Sequence, residues 1–280
     1  MAQADEHFEA NVYFRGENNE TGASFNLSLL TISSMPCDPN EMFTIIVHDF
    51  KQNSSAFWIS VIGQDFLLYR GGCVIAVDYS RYSISQYSEL LAYFDGIKNV
   101  LVKFMKAIGN PAQQLCFGQG FGARLCEKAG IQFSMETGSK IDRMELCDPA
   151  GPGFTVTDDP KPAAKNVACV NTSKDKGTGY YNCHQNFRMG ECGKSQAAVG
   201  PGLSDHNLCV YFYHSAFTNN FAANNVNNCV SKRMINNPPD AVRMGYNAAF
   251  DREVYRGDVF IATAKYYNYV VVKGNVNNQP

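Results

Sequence analysis

The stretch "LCFGQGFGARL", residues 115–125, reads as a short apolar strand, a glycine-rich turn and the start of a helix, with Gly120 at the tip of the turn. Two kinds of turn share this outline. A phosphate-binding loop of the G-x-G-x-x-G type uses its glycines to bring backbone N–H groups up to an anion, and "GQGFGA" fits that pattern loosely. A nucleophile elbow, G-x-S-x-G, holds its central residue in a strained conformation that aims the side chain away from the sheet, with a glycine on either side making room. Gly118 and Gly122 supply the flanking pair, but the centre carries no reactive atom.

Outward from this turn, short apolar runs alternate with segments of helical period. They are "FTIIVHDF" (43–50), "CVIAVDYS" (73–80), "YFDGIKNVLVKFMKAIG" (93–109), "QLCFGQG" (114–120), a helix from about Phe121, and "RMELCDPAG" (143–151). Alternating strand and helix predicts an α/β protein, a mainly parallel central sheet flanked by helices. Reactive groups in such sheets lie at the carboxyl ends of strands. His48, Asp78, Gly120 and Asp148 each follow an apolar run, which places four strand ends on one rim. Residues 155–205, richer in Pro, Gly, Lys and Asn, read as excursions beside that rim. The Asn-rich chain beyond about 224 reads as a loop-rich closing segment, and 273–280 as a flexible tail.

The 280 residues suffice for one large domain, expected over 1–280. With 24 Lys and Arg against 26 Asp and Glu, the charge gives no reason to expect nucleic acid or anionic membrane as a partner. No apolar stretch has the length of a membrane span, so no integral membrane contact is expected. Ten cysteines with five histidines and no CxxC pair speak against a zinc site, and no cofactor is implied. Disulfides are the better reading. Sequons at Asn19, Asn26, Asn53 and Asn171 agree with an oxidising, secretory route, and reduced thiols in a cytosolic chain are the alternative.

The order of motifs resembles the pancreatic-type lipase family of α/β-hydrolases, especially its insect lipase-like branch with inactive, yolk-protein-like members. The residues that carry the resemblance are "VHDF" (47–50), Trp58, "VDYS" (77–80), "GQGFGA" (118–123), "DPAGPGF" (148–154), "NCHQNFRMGECGKSQ" (182–196), "DHNLC" (205–209) and "RGDVF" (256–260). It implies the α/β-hydrolase fold, with Gly120 at the nucleophile position, Asp148 as the acid and His206, in a polar loop, as the base. The backbone N–H groups of Phe50 and Phe121 would form the oxyanion hole. His214 and His184 are expected to be structural.

Further expectations follow from the same resemblance. By it Cys183 and Cys192 would close a short lid over 183–192; Cys209 and Cys229 are a candidate second bridge and Cys116, Cys126 and Cys147, which flank core strands, candidate buried thiols, the pairings being left open by the sequence. The C-terminal β-sandwich of pancreatic lipases has no room here, and no colipase-type partner is implied. Asp49 replaces a family glycine; turned inward, its carboxylate would oppose an oxyanion, and turned outward it would be a surface charge.

Without a hydroxyl at position 120, His206 has no serine proton to take and no acyl-enzyme can form. The expected function is therefore that of a secreted lipase-like protein without lipase activity, holding a lipid, fatty-acyl or sterol-like small molecule, or serving in storage. The alternative is a carboxylic ester hydrolase, weakly active through a water held by His206 or deprived of its serine by design.

Overall fold

The computed structural model describes residues 2–18, 22–155, 159–179, 181–197, 203–223, 229, 231–235, 237–250 and 255–271. In chain order the elements are α1 (Ala2–Asn11), β1 (Tyr13–Asn18), β2 (Ser24–Ser28), β3 (Phe43–Val47), α2 (Phe57–Tyr69), β4 (Cys73–Asp78), α3 (Ser80–Ser83), α4 (Tyr87–Ala92) and α5 (Phe94–Ile108). They continue with β5 (Gln114–Gln119), α6 (Phe121–Thr137), β6 (Ile141–Cys147), β7 (Ala164–Asn171), β8 (Gln185–Met189), α7 (Asp205–Ser215), β9 (Phe221–Ala222), β10 (Arg243–Met244) and β11 (Gly257–Ile261).

Among the described residues nine strands form one sheet in the order β11-β8-β7-β6-β5-β3-β4-β1-β2. From β4 to β11 all neighbours are parallel, and β1 runs antiparallel to both β4 and β2. The central strands are buried on both faces, which is why they read as continuous apolar runs. Phe43, Ile45 and Val47 of β3 and Cys73, Ile75 and Val77 of β4 face one core, and Ile46, Val74 and Ala76 face the other. Helices α5 and α6 pack together on the first face and α2 and α7 on the second. In α5 the buried Ile97, Val100, Leu101, Phe104, Met105 and Ile108 recur at three- and four-residue spacing, the stripe an amphipathic helix needs to cover a sheet. Each such side chain contributes about 1.5–3 kcal/mol by leaving water.

Two expectations are corrected here. Residues 155–205 are not merely excursions, since they supply β7 and β8, and the closing segment supplies the edge strand β11. Strand β8 escaped the apolar-run criterion because its buried positions are partly polar. Gln185 donates to the carbonyls of Ala249 and Tyr255, at 2.6 and 3.0 Å, Asn186 donates to Asp258 at 2.7 Å, and Arg188 pairs with Asp258 at 3.0 Å.

The second correction concerns the cysteines. Cys37–Cys73, Cys116–Cys126, Cys147–Cys209, Cys169–Cys183 and Cys192–Cys229 are bonded, so Cys116, Cys126 and Cys147 are not thiols and Cys209 does not pair with Cys229. Nor do Cys183 and Cys192 close a lid. They flank β8, whose five residues span roughly 16 Å at a strand's rise, whereas disulfide-bonded Cα atoms sit no more than about 7 Å apart. The proposed tail lies outside the described residues. No helix among the described residues is long and apolar enough to cross a membrane.

Candidate functional site

The turn between β5 and α6 has the backbone of a nucleophile elbow. Gly120 has φ 53° and ψ −114°, a conformation that favours glycine and is strained in any residue with a side chain. Hydrogen bonds tie the turn to the acid's loop: Gly120 N–H donates to Cys147 C=O, and Ala150 N–H donates to Gly120 C=O, both at 3.0 Å.

Asp148, immediately after β6, is fully buried and takes φ 42°. Its Oδ1 accepts from the backbone N–H of Thr172 and Ser173, at 2.8 and 3.2 Å. Its Oδ2 accepts from the Ser173 hydroxyl and from His206 Nδ1, each at 2.6 Å. The sequence "NTS" at 171–173, read as a sequon, is thus the segment that grips the acid. Asn171 itself is fully buried at the end of β7, where a glycan could not be accommodated in the folded chain. Asn26 and Asn53 are exposed, and Asn19 lies outside the described residues.

His206 lies in the first turn of α7 rather than in a loop, behind an N-cap in which Ser204 accepts from Asn207 N–H at 3.2 Å. Its Nδ1 meets Asp148, and its Nε2 meets Asp49 Oδ2 at 2.9 Å. The other oxygen of Asp49 accepts from Phe121 N–H at 2.8 Å. Asp49 therefore points inward, and it is 9% exposed. Its carboxylate spans the place where a nucleophile would face the base and the donor that would hold an oxyanion. Of the two expected hole donors, Phe121 N–H is committed to Asp49, and no hydrogen bond ties Phe50 N–H to a described residue.

The position of Asp49 is fixed by residues that were not assigned a role from sequence. His48 Nδ1 donates to the Asp49 carbonyl at 2.8 Å, while its Nε2 accepts from Tyr79 N–H at 3.3 Å. The His48 ring stacks on Tyr79 with centroids 3.9 Å apart, and the Tyr79 hydroxyl donates to the His48 carbonyl. Burial lowers the His48 pKa, in keeping with this neutral tautomer. Gln52 Oε1 accepts from Asp49 N–H at 3.2 Å and from the indole N–H of Trp58 at 2.9 Å. The signal available in sequence was the "HDF" cluster at a strand end, which marks the loop but not the direction of its carboxylate.

Electrostatics follow from this sandwich. Burial disfavours a charged His206, but the hydrogen bonds and charges of Asp148 and Asp49 outweigh it, and the pKa is pushed up to about 10. At neutral pH the ring is an imidazolium with both nitrogens donating, so it has no lone pair with which to take a proton. His214 pairs with Asp65 of α2 at 2.6 Å. His184 accepts from Val167 N–H at 3.0 Å, and burial with nearby cations lowers its pKa to about 4.

Above Asp49 and His206 a cavity of about 200 Å³ opens to solvent, walled by Phe50, Tyr87, Ala150 and Pro152, with Lys176 at its rim. The lining is almost entirely apolar apart from the floor. Among the described residues, the three groups that could share a cation are Cys37, Glu41 and Cys73, and the two cysteines are bonded to each other.

The strand order, with one reversed strand near an edge among the described residues, the sharp glycine turn after β5, and the Asp148–His206 pair after later strands define the α/β-hydrolase fold. No protein-family model matches the sequence, and no curated protein matches it either. Solved structures do resemble it. A putative hydrolase of the alpha/beta superfamily from Xanthomonas campestris pv. campestris is 12% identical with a TM-score of 0.38, over 54% of this chain and 75% of that one. A CIB-like hydrolase from Thermoplasma acidophilum is 17% identical with a TM-score of 0.35, over 48% of this chain; the chain spans 63% of that protein's length. A hormone-sensitive lipase from a metagenome library is 8% identical with a TM-score of 0.35, over 60% of this chain and 70% of that one. At these identities and TM-scores the likenesses carry no argument about this chain.

Proposed function

We propose that this protein is a secreted, lipase-like member of the hydrolase fold, akin to the insect branch of the pancreatic-type lipases, that does not hydrolyse esters and instead holds a hydrophobic small molecule. The observation that carries the reading is the Asp49 carboxylate, bonded at once to His206 Nε2 and to Phe121 N–H. Hydrolysis needs a nucleophile beside the base and an empty donor for the developing oxyanion. Gly120 offers no nucleophile, one of the two expected donors is already engaged by Asp49, and the base is held protonated. The same geometry weighs against slow hydrolysis through a water on His206, because Nε2 carries a proton donated to Asp49 and has no lone pair to accept one from such a water.

Five disulfides support an oxidising destination. The apolar cavity supports binding over catalysis as the surviving property of the site. The test is turnover of a short-chain aryl ester by the unmodified protein and by the paired variant Asp49→Gly/Gly120→Ser. No rate above buffer is expected from the first, and turnover from the second. Hydrolysis by the unmodified protein would overturn the reading.

A further inference from the structure

The hydrogen-bonding character of the cavity floor is the reverse of what an ester-cleaving site presents. A lipase offers donors to an ester carbonyl, a group that only accepts. Here Phe121 N–H donates to Asp49, and the two ring nitrogens of His206 donate to Asp148 and Asp49. The Tyr87 hydroxyl donates to Pro152 C=O at 2.9 Å, and Ala150 C=O accepts from Arg124 Nε at 2.8 Å. Of the residues at the floor, Asp49 keeps unused acceptor sites, its two oxygens using one contact each out of about two lone-pair sites apiece, and Phe50 N–H, which has no described partner, is the donor that a hydroxyl oxygen could also meet.

We infer that the cavity over Asp49 selects a small uncharged alcohol, with its hydroxyl donating to the Asp49 carboxylate and its apolar body against Phe50, Ala150 and Pro152. The inference rests on the non-hydrolytic reading and names the ligand class for that site. A ligand carboxylate would meet a floor of two carboxylates and one imidazolium, net negative, with only the exposed Lys176 at the rim to oppose it. An ammonium would be drawn by the net negative floor but would lose its hydration against apolar walls, a cost that an uncharged hydroxyl does not carry. An ester has no proton to give. As to size, an apolar cavity of about 150 Å³ holds benzene, so 200 Å³ suits a benzyl-sized body or the hydroxyl-bearing end of a longer chain that leaves through the mouth.

Isothermal titration and ligand-observed NMR with 2-phenylethanol, phenylacetate and methyl phenylacetate, which share one apolar body, test this at pH 7. The unmodified protein is expected to bind the alcohol at least tenfold more tightly than either partner. In Asp49→Ala the order of alcohol and carboxylate should reverse, because the imidazolium and Phe121 N–H become available to an anion. Should that variant fail to fold, Asp49→Asn keeps the shape, and its preference for alcohol over carboxylate should fall below threefold. Phenylacetate binding as well as the alcohol, absence of alcohol binding at millimolar concentration, or selectivity unchanged in the variant that folds would each overturn the inference. Turnover of methyl phenylacetate by the unmodified protein would instead overturn the functional reading.

Discussion

Asp49 and Gly120 occupy a single volume between them: a Cβ placed on Gly120 would lie 2.7 Å from Asp49 Oδ2 and nearer still to Oδ1 and Cγ. The absent side chain at one position and the carboxylate at the other are therefore one steric arrangement made by two parts of the sequence.

Gly120→Ser alone should restore nothing. It introduces a side chain at positive φ and drives it into Asp49, with an expected loss of about 1–3 kcal/mol in stability. Asp49→Gly in the same molecule should recover part of that loss. Urea denaturation of the four species in a double-mutant cycle is expected to give a coupling of about 1 kcal/mol or more, and additive effects would contradict the shared volume. Aryl-ester turnover should appear in the double variant only.

His206 should not titrate in the neutral range. Its folded pKa, about 10, lies above the ordinary value of 6.5, so its contribution to stability is fully present below pH 6.5 and is lost as pH rises through about 10. NMR of the imidazole C–H signals should show the ring charged at pH 8, and denaturation midpoints should fall between pH 7 and 10. In Asp49→Ala one of the two groups raising the pKa is gone, so the midpoint should drop and the window narrow from its alkaline side. A ring titrating near 6.5 in the unmodified protein would refute the sandwich.

The fold was legible where burial on both faces forced apolar runs, as in β3, β4 and β5, and where the elbow's glycines stood between strand and helix. It was illegible at β8, where Asn186 and Arg188 are satisfied by Asp258, a partner about seventy residues away. Gly120 and Asp148 could be set at strand ends from the apolar runs before them, whereas His206, read in a polar loop, was joined to them by the order of motifs in the resemblance and opens a helix instead. The direction of Asp49 could not be set, since it depends on space vacated at Gly120 and on His48 and Tyr79 holding the loop. The cysteine pairings failed for the same reason: Cys183 and Cys192 are close in sequence, but an intervening strand holds them apart.

Ser173 should matter to the acid more than its small size suggests. Ser173→Ala removes the hydroxyl that donates to Asp148 Oδ2 and that accepts from Gly177 N–H at 3.0 Å. The expected cost is about 1.5–3 kcal/mol, the range for a hydrogen bond to a charged group, read as a lower urea midpoint with an unchanged slope.

Glycan occupancy discriminates the sequons by burial. When the protein is produced through a secretory route, peptide mass spectrometry should find modification at Asn26 and Asn53, which are exposed, and none at Asn171. An occupied Asn171 would mean that the acid-gripping segment folds differently.

The bond between Cys147 and Cys209 joins the residue before Asp148 to the helix turn that carries His206, closing a span of 62 residues. By chain entropy a closure of that length restrains the unfolded chain by roughly 4 kcal/mol. Asp148 and His206 are thus kept in register by a covalent stitch and not by strand–helix packing alone. The ionic sandwich thereby records the oxidation history of the chain: a molecule that never met an oxidant would carry the same residues with that stitch missing between them.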